Sequence, residues 1–298
     1  MSIRSSVEAS DLESLFSPIS LSQFCDDYWP TRHYITHAAP ERLSNLLTLP
    51  PLQSIDLACG ADNDVQVIPE NIKKSGNEKF IKSPEAMAYF NQGATLCVLN
   101  VGASTIELGE WITRLGQALG VHCRTQCNAY LSPAGSGTPK HFDNHEVIVV
   151  QVIGQKEWVI AVNNEVEYPT VNYVAGASPT PELQSYWTPA GSMEMPEGSI
   201  TVRMDPGSVL FVPRGLWHTT VATSDSLSLS VGFFLSTPLD MILRMLRRTL
   251  VQHKDLRKPI AFVPNKSQYL ELVENISNMT VSHLGSGMKC IVEEGSND

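Results

Sequence analysis

Apolar and polar positions follow two rhythms along this chain, one strand-like and one helical, and the changes between them mark three stretches. From about 121 to 236, short apolar or alternating runs are broken by Pro, Gly, Ser and Asn, the pattern of an all-β barrel or double-sheet jelly roll. This pattern predicts strands over 122–132, 146–153, 156–162, 199–204, 208–212, 218–222 and 226–235. Residues 163–197 hold five prolines (Pro169, Pro179, Pro181, Pro189 and Pro196) and are expected to form an insertion over the barrel mouth, as a lid or a tolerated loop.

Ahead of the barrel, residues 1–95 read as a mixed α/β region that frames it. Helical patterns occupy 11–16 and 22–29, the second stopped by Pro30; 31–37 alternates as a strand, and 40–47 is a further helix closed by Pro50 and Pro51. Residues 60–80 are polar and read as a surface excursion around Val65-Gln66-Val67-Ile68. A helix starts at Ser83-Pro84, a strand runs through 93–99, and an amphipathic helix over 107–119 closes at Gly120. After Pro238 the helical period returns, with Leu239, Ile242, Leu243, Leu246 and Leu250 on one face. A second helix over 267–279 then leads to a loose Gly/Ser-rich acidic tail from about 285. The expectation is a mainly β protein with flanking helices: residues 1–95, a barrel over 96–236, and a helical segment over 237–298.

A hydrophobic share of 42% in 298 residues is enough for a sizeable core. The net charge of −10 and the lack of a basic tract argue against nucleic acid as a partner, and an acidic surface favours a basic protein or peptide. No stretch has the length of a membrane span and no apolar leader follows basic residues, so the expected location is cytoplasmic. Six cysteines are too sparse for a disulfide scaffold and are expected to be reduced thiols. Cys123 and Cys127 beside His122 lack a second ligand pair for zinc, so small buried apolar residues are the better account.

The candidate chemistry lies in His141-Phe142-Asp143-Asn144-His145-Glu146 and Pro213-Arg214-Gly215-Leu216-Trp217-His218. Two residues spaced i and i+2 on a strand share a face, so His141 and Asp143 point the same way. His218 completes a three-point metal site if its strand lies beside theirs. Two imidazoles and one carboxylate on one face of a metal leave the opposite positions open, as non-haem Fe(II) oxygenases require. His-x-Asp alone is more often a solvated turn. Its weight here comes from the strand it is expected to open, from the distant Pro-x-Gly-x-Trp-His element, and from Lys156 on the next strand.

Asn128-Ala129-Tyr130, Pro133-Ala134-Gly135, His141-Phe142-Asp143, Gly154-Gln155-Lys156-Glu157-Trp158 and the element ending in His218 follow one another in an order that resembles the JmjC-domain 2-oxoglutarate oxygenases. Within these, the chain is most similar to the cupin-4 group that includes the ribosomal-protein hydroxylases, over roughly 95–236. The resemblance implies a double-stranded β-helix, with His141, Asp143 and His218 as iron ligands and Lys156 binding the distal carboxylate of 2-oxoglutarate. It further implies cosubstrate contacts from Asn128 and Tyr130, more weakly from Ser230, and from Thr138 where some relatives place one. His145 departs from the family pattern, as a support to the ligands, a substrate contact, or with Glu146 an alternative ligand.

The activity so implied is hydroxylation of an amino-acid side chain in a protein or peptide, using Fe(II), 2-oxoglutarate and O2 and releasing succinate and CO2. The alternatives are an oxygenase for a free amino acid or small metabolite, an N-demethylase, or a metal-binding cupin without turnover. In the resembling hydroxylases a dimerisation segment and a winged helix follow the barrel. About 60 residues follow Pro238 here, room for a homodimer helix at 239–250 but tight for both elements.

Overall fold

The computed structural model describes residues 12–60, 62–68, 79–252 and 254–257, with single positions at 267, 271, 274, 275, 277 and 278. Its early strands are β1 (Tyr34–Thr36), β2 (Asp64–Ile68), β3 (Lys79–Lys82), β4 (Thr95–Val98) and β5 (Arg124–Ser132). The central ones are β6 (Gly137–Phe142), β7 (Glu146–Ile153), β8 (Lys156–Ala161) and β9 (Tyr173–Val174). The last are β10 (Ile200–Met204), β11 (Val209–Val212), β12 (Trp217–Ala222) and β13 (Ser226–Phe234). All pairings are antiparallel, in an eight-stranded sheet of order β1-β11-β7-β13-β5-β4-β2-β3 and a five-stranded sheet of order β10-β8-β12-β6-β9.

Three apolar clusters explain this layering. Between the sheets, Val147 and Val149 of β7 and Leu210 and Val212 of β11 meet Trp158 and Ile160 of β8 and Val202 and Met204 of β10. On the outer face of the larger sheet, Ile148, Val150, Phe211, Leu229 and Phe233 pack under Phe24, Leu43, Leu52 and Trp111. Because β7 is covered on both faces, its sequence is a nearly unbroken apolar run rather than an alternation. The covering helices include α1 (Leu21–Asp27), α2 (Ser44–Leu47), α3 (Ile55–Cys59), α4 (Ser83–Asn91) and α5 (Ile106–Ala118). In α5 the Thr105 side chain accepts from the Leu108 N–H at the start, and the buried stripe Leu108, Trp111, Ile112 and Leu115 faces the sheet. Each such side chain stabilises the fold by about 1.5–3 kcal/mol on burial.

The third cluster is built by the 163–197 insertion. Through Val166, Tyr173, α6 (Pro181–Gln184) with Leu183, and Trp187, residues 163–197 pack on Phe142 and Trp217. β9 extends the smaller sheet by pairing Val174 with His141 and Tyr173 with Phe142. The prolines masked an aromatic set dense enough to build a small core of its own.

Of residues 60–80, positions 61 and 69–78 lie outside the described residues; 64–68 differ from a plain surface excursion, since β2 pairs with both β3 and β4 and carries Val65 and Val67 into the core. His-x-Asp was expected to open a strand; it closes β6 instead, with His141 inside the strand and Asp143 just past its end. That strand escaped the pattern because Gly137-Thr138-Pro139-Lys140 offers no apolar alternation.

Residues 1–235 form one compact unit, in which β1, β2 and β3 are strands of the larger sheet, and residues 236–298 form a second. Within the second, α7 (Pro238–Leu250) starts in a reciprocal cap between Thr237 and Asp240 and has no buried residue. The expected helix over 267–279 is helical at the positions described within it; the tail and Cys290 lie outside the described residues. The other five cysteines are free thiols, and no helix among the described residues is long and apolar enough to cross a membrane.

Candidate metal centre

β6 and β12 lie side by side in the smaller sheet, and their register places His218 directly opposite His141, with ring centroids 4.0 Å apart. Asp143 follows Phe142, whose side chain turns to the outer aromatic cluster, and so returns to the inner face. Its Oδ2 lies 3.6 Å from His218 Nε2. One ligand atom from each of His141, Asp143 and His218 can be chosen so that all three lie within 4.8 Å of one another. Among the described residues this is the group of His, Cys, Asp or Glu able to hold a metal ion, and Cys123 and Cys127 are not part of one.

The two imidazoles are prepared in the same way. His141 Nδ1 lies 2.7 Å from the Pro139 carbonyl oxygen and His218 Nδ1 lies 2.9 Å from the Leu216 carbonyl oxygen, each two residues back along its own strand. A carbonyl only accepts, so Nδ1 carries the proton in both rings and Nε2 is left as a lone-pair donor. Burial, reinforced by the neighbouring His141, pushes the His218 pKa down to about 4, so this ring stays neutral. Burial acts to raise the Asp143 carboxyl, but His141, His218 and His145 outweigh it and the net shift is downward. Two imidazoles and one carboxylate, all converging, fit a ferrous ion with coordination positions to spare.

The three groups open into a cavity between the sheets that encloses about 450 Å³ of empty space, its mouth included. Lys156, 2% exposed at the start of β8, lines this cavity, and desolvation brings its pKa down to about 7. No hydrogen-bond or carboxylate partner of its ammonium exists among the described residues. Tyr130, Thr138 and Ser230 line the same cavity, joined by Trp158 of the Gly-x-Lys-x-Trp motif and by Thr220 and Ser228, which no motif in the sequence marks. Asn128 does not line it; its Oδ1 accepts from the Asn100 N–H at 3.0 Å. The Trp158 ring stacks over His218 at 5.6 Å, and its indole N–H is buried without a partner.

His145 and Glu146 lie outside the ligand group. The His145 ring stacks on Phe234 with centroids 4.4 Å apart, and both Glu146 oxygens are held by Arg214. That ion pair removes Glu146 as an alternative ligand. Arg214 was visible in sequence only as the middle of Pro-Arg-Gly, whose role depends on a partner 68 residues away.

Fold and site together define a double-stranded β-helix protein with a two-histidine, one-carboxylate metal group between its sheets. Residues 106–241 match the family model described as JmjC domain, and over that stretch the chain is related to JmjC-domain proteins. The protein YxbC of Bacillus subtilis (strain 168) is 29% identical over 264 residues, which cover 85% of this chain and 80% of that one. The bifunctional lysine-specific demethylase and histidyl-hydroxylase NO66 of Dictyostelium discoideum is 27% identical over 256 residues, covering 80% of this chain. The match spans 46% of that protein's length. The structure of YcfD, a ribosomal oxygenase from Escherichia coli, superposes with a TM-score of 0.50 at 16% identity, covering 88% of this chain and 66% of YcfD, and shares the fold.

Proposed function

We propose that this protein is an Fe(II)- and 2-oxoglutarate-dependent dioxygenase that hydroxylates an amino-acid side chain of a protein or peptide. Lys156 is the observation that carries the reading: a buried ammonium without a partner, facing the same cavity as a three-ligand site. A buried cation left unpaired is strongly unfavourable, so its presence calls for an anionic guest. A dicarboxylic keto acid meets both ends, chelating at the metal and pairing with the lysine.

His141, Asp143 and His218 would hold the metal at the wall of the cavity. Bound there, ferrous iron supplies the reduction of dioxygen, coupled to oxidation of 2-oxoglutarate to succinate and CO2 and to hydroxylation of a substrate C–H bond. Lys156 fixes the far carboxylate, Tyr130 and Ser230 stand on the facing sheet, and Val147, Val149 and Val212 keep the pocket dry. A metal-binding cupin without turnover has no use for the buried lysine.

Three observations support a polypeptide as the hydroxylated substrate. An open groove runs past Tyr28, Arg32, Tyr168 and the 213–216 turn that leads into His218. The net charge of −10 favours basic segments. The activities named for the Dictyostelium relative act on lysine and histidine. The exposed face Leu239, Ile242 and Leu243 of α7 supports a homodimer through that helix, to be read by sedimentation.

Succinate formation from 2-oxoglutarate with added Fe(II) tests the chemistry, with loss expected in Lys156→Ala and His141→Ala. A product screen of peptide libraries for the mass gain of one oxygen atom then separates a polypeptide substrate from a free metabolite. Turnover undiminished in Lys156→Ala overturns the reading.

A further inference from the structure

We propose that the buried ion pair between Glu146 and Arg214 is a clamp that positions Asp143 as the third metal ligand. The proposal rests on the metal-site reading above and assigns these two residues a role in it.

The three ligands are not held alike. His141 and His218 sit opposite one another within the paired strands β6 and β12, so the ladder of the smaller sheet fixes both. Asp143 lies past the end of β6, in the corner where the chain leaves the smaller sheet to begin β7 in the larger one. A second corner lies against it: residues 213–216 carry the chain from β11 in the larger sheet to β12 in the smaller. Without a tie between the corners, the sheets are free to splay at this end, and the ligand displaced is the one outside the ladder.

Two connections tie them. The Gly215 N–H donates to the Asp143 carbonyl oxygen at 2.8 Å. Beside it, Arg214 Nε donates to Glu146 Oε1 at 2.5 Å and Nη2 to Oε2 at 3.0 Å, three residues past Asp143 and four before His218. The side chains are 10% and 3% exposed. Arg214 Nη2 also donates to the Leu235 carbonyl oxygen at 3.1 Å, so one guanidinium gathers both corners and the chain just past β13. Two parallel hydrogen bonds between planar groups fix an angle as well as a distance, which a lysine does not. Stability alone is a poor reason for the pair, because an apolar pair of similar volume often serves a buried site as well or better.

The test is Co(II) titration of the full-length protein, followed by visible absorption and by binding affinity, with thermal midpoints recorded alongside. Wild type should bind one Co(II) with a band that Asp143→Ala alters. Arg214→Lys and Glu146→Gln should weaken Co(II) binding about 10–100-fold and move the band toward that of Asp143→Ala. Should these single variants fold poorly, the double variant Glu146→Met/Arg214→Met removes both charges together; it should keep a near wild-type midpoint while Co(II) affinity stays reduced. Wild-type Co(II) affinity and spectrum in that double variant overturn the clamp alone. Failure of the wild type to bind Co(II) overturns the metal site and the clamp with it.

Discussion

Replacing Lys156 by Met separates what the cavity needs for stability from what it needs for binding. The side chain is 2% exposed, and burial lowers its pKa from an ordinary 10.5 to about 7. At about 1.36 kcal/mol per pKa unit, holding the ammonium there costs on the order of 5 kcal/mol, a ceiling that relaxation and water entry reduce to a few kcal/mol. Below about pH 7 the folded protein carries the full cost. Between about 7 and 10.5 the unfolded chain holds a proton that the folded lysine has released, so wild-type stability rises with pH across that window. Lys156→Met should therefore be more stable than wild type in urea unfolding at roughly pH 6, by a few kcal/mol, with the advantage shrinking at roughly pH 9. With both proteins already loaded with Co(II), added 2-oxoglutarate should further stabilise wild type and leave the variant unchanged. A variant that is less stable at both pH values, or that is stabilised by 2-oxoglutarate as strongly as wild type, refutes the argument.

Other perturbations test the scaffold and the metal separately. A Cβ on Gly137 would lie 1.8 Å from the Thr220 carbonyl oxygen, so Gly137→Ala must part β6 from β12; a loss of about 1–3 kcal/mol or more and weaker Co(II) binding are expected from thermal unfolding and titration. Phe24 is fully buried, stacked on Phe16 at 3.6 Å and edge-on to Phe211 at 5.4 Å. Phe24→Ala should cost about 3–5 kcal/mol in urea unfolding, and a loss under about 1 kcal/mol would show that the N-terminal segment is dispensable to the barrel. Chelation of metal from wild type should lower stability by about 2.7 kcal/mol if the ion was present at about a hundredfold over its dissociation constant. His218→Ala should show no such drop on chelation.

Much of the barrel was legible because its strands carry their environment in their order. β7 reads as a continuous apolar run, and α5 carries the amphipathic pattern expected over 107–119. The packing of the insertion was not legible because proline-rich composition speaks of irregular backbone, while Tyr173, Leu183 and Trp187 find their partners only through contact with Phe142 and Trp217. β6 was missed for the opposite reason: its pairing with β12, not its own composition, makes it a strand. Glu146 and Arg214 were in view as members of short motifs, yet nothing local to either announces the other.

By itself the amino-acid order determined the periodicities, the i and i+2 placement of His141 and Asp143 on one face, and the supply of a third imidazole and a cation further along. These follow from backbone geometry within a few residues. Only the tertiary structure decided that His218 lies opposite His141, that Lys156 is buried facing them, and that an ion pair joins the two corners of the site. Strand order and sheet-to-sheet packing bring together residues tens of positions apart, and such contacts are selected by the burial of the whole core rather than by any segment alone.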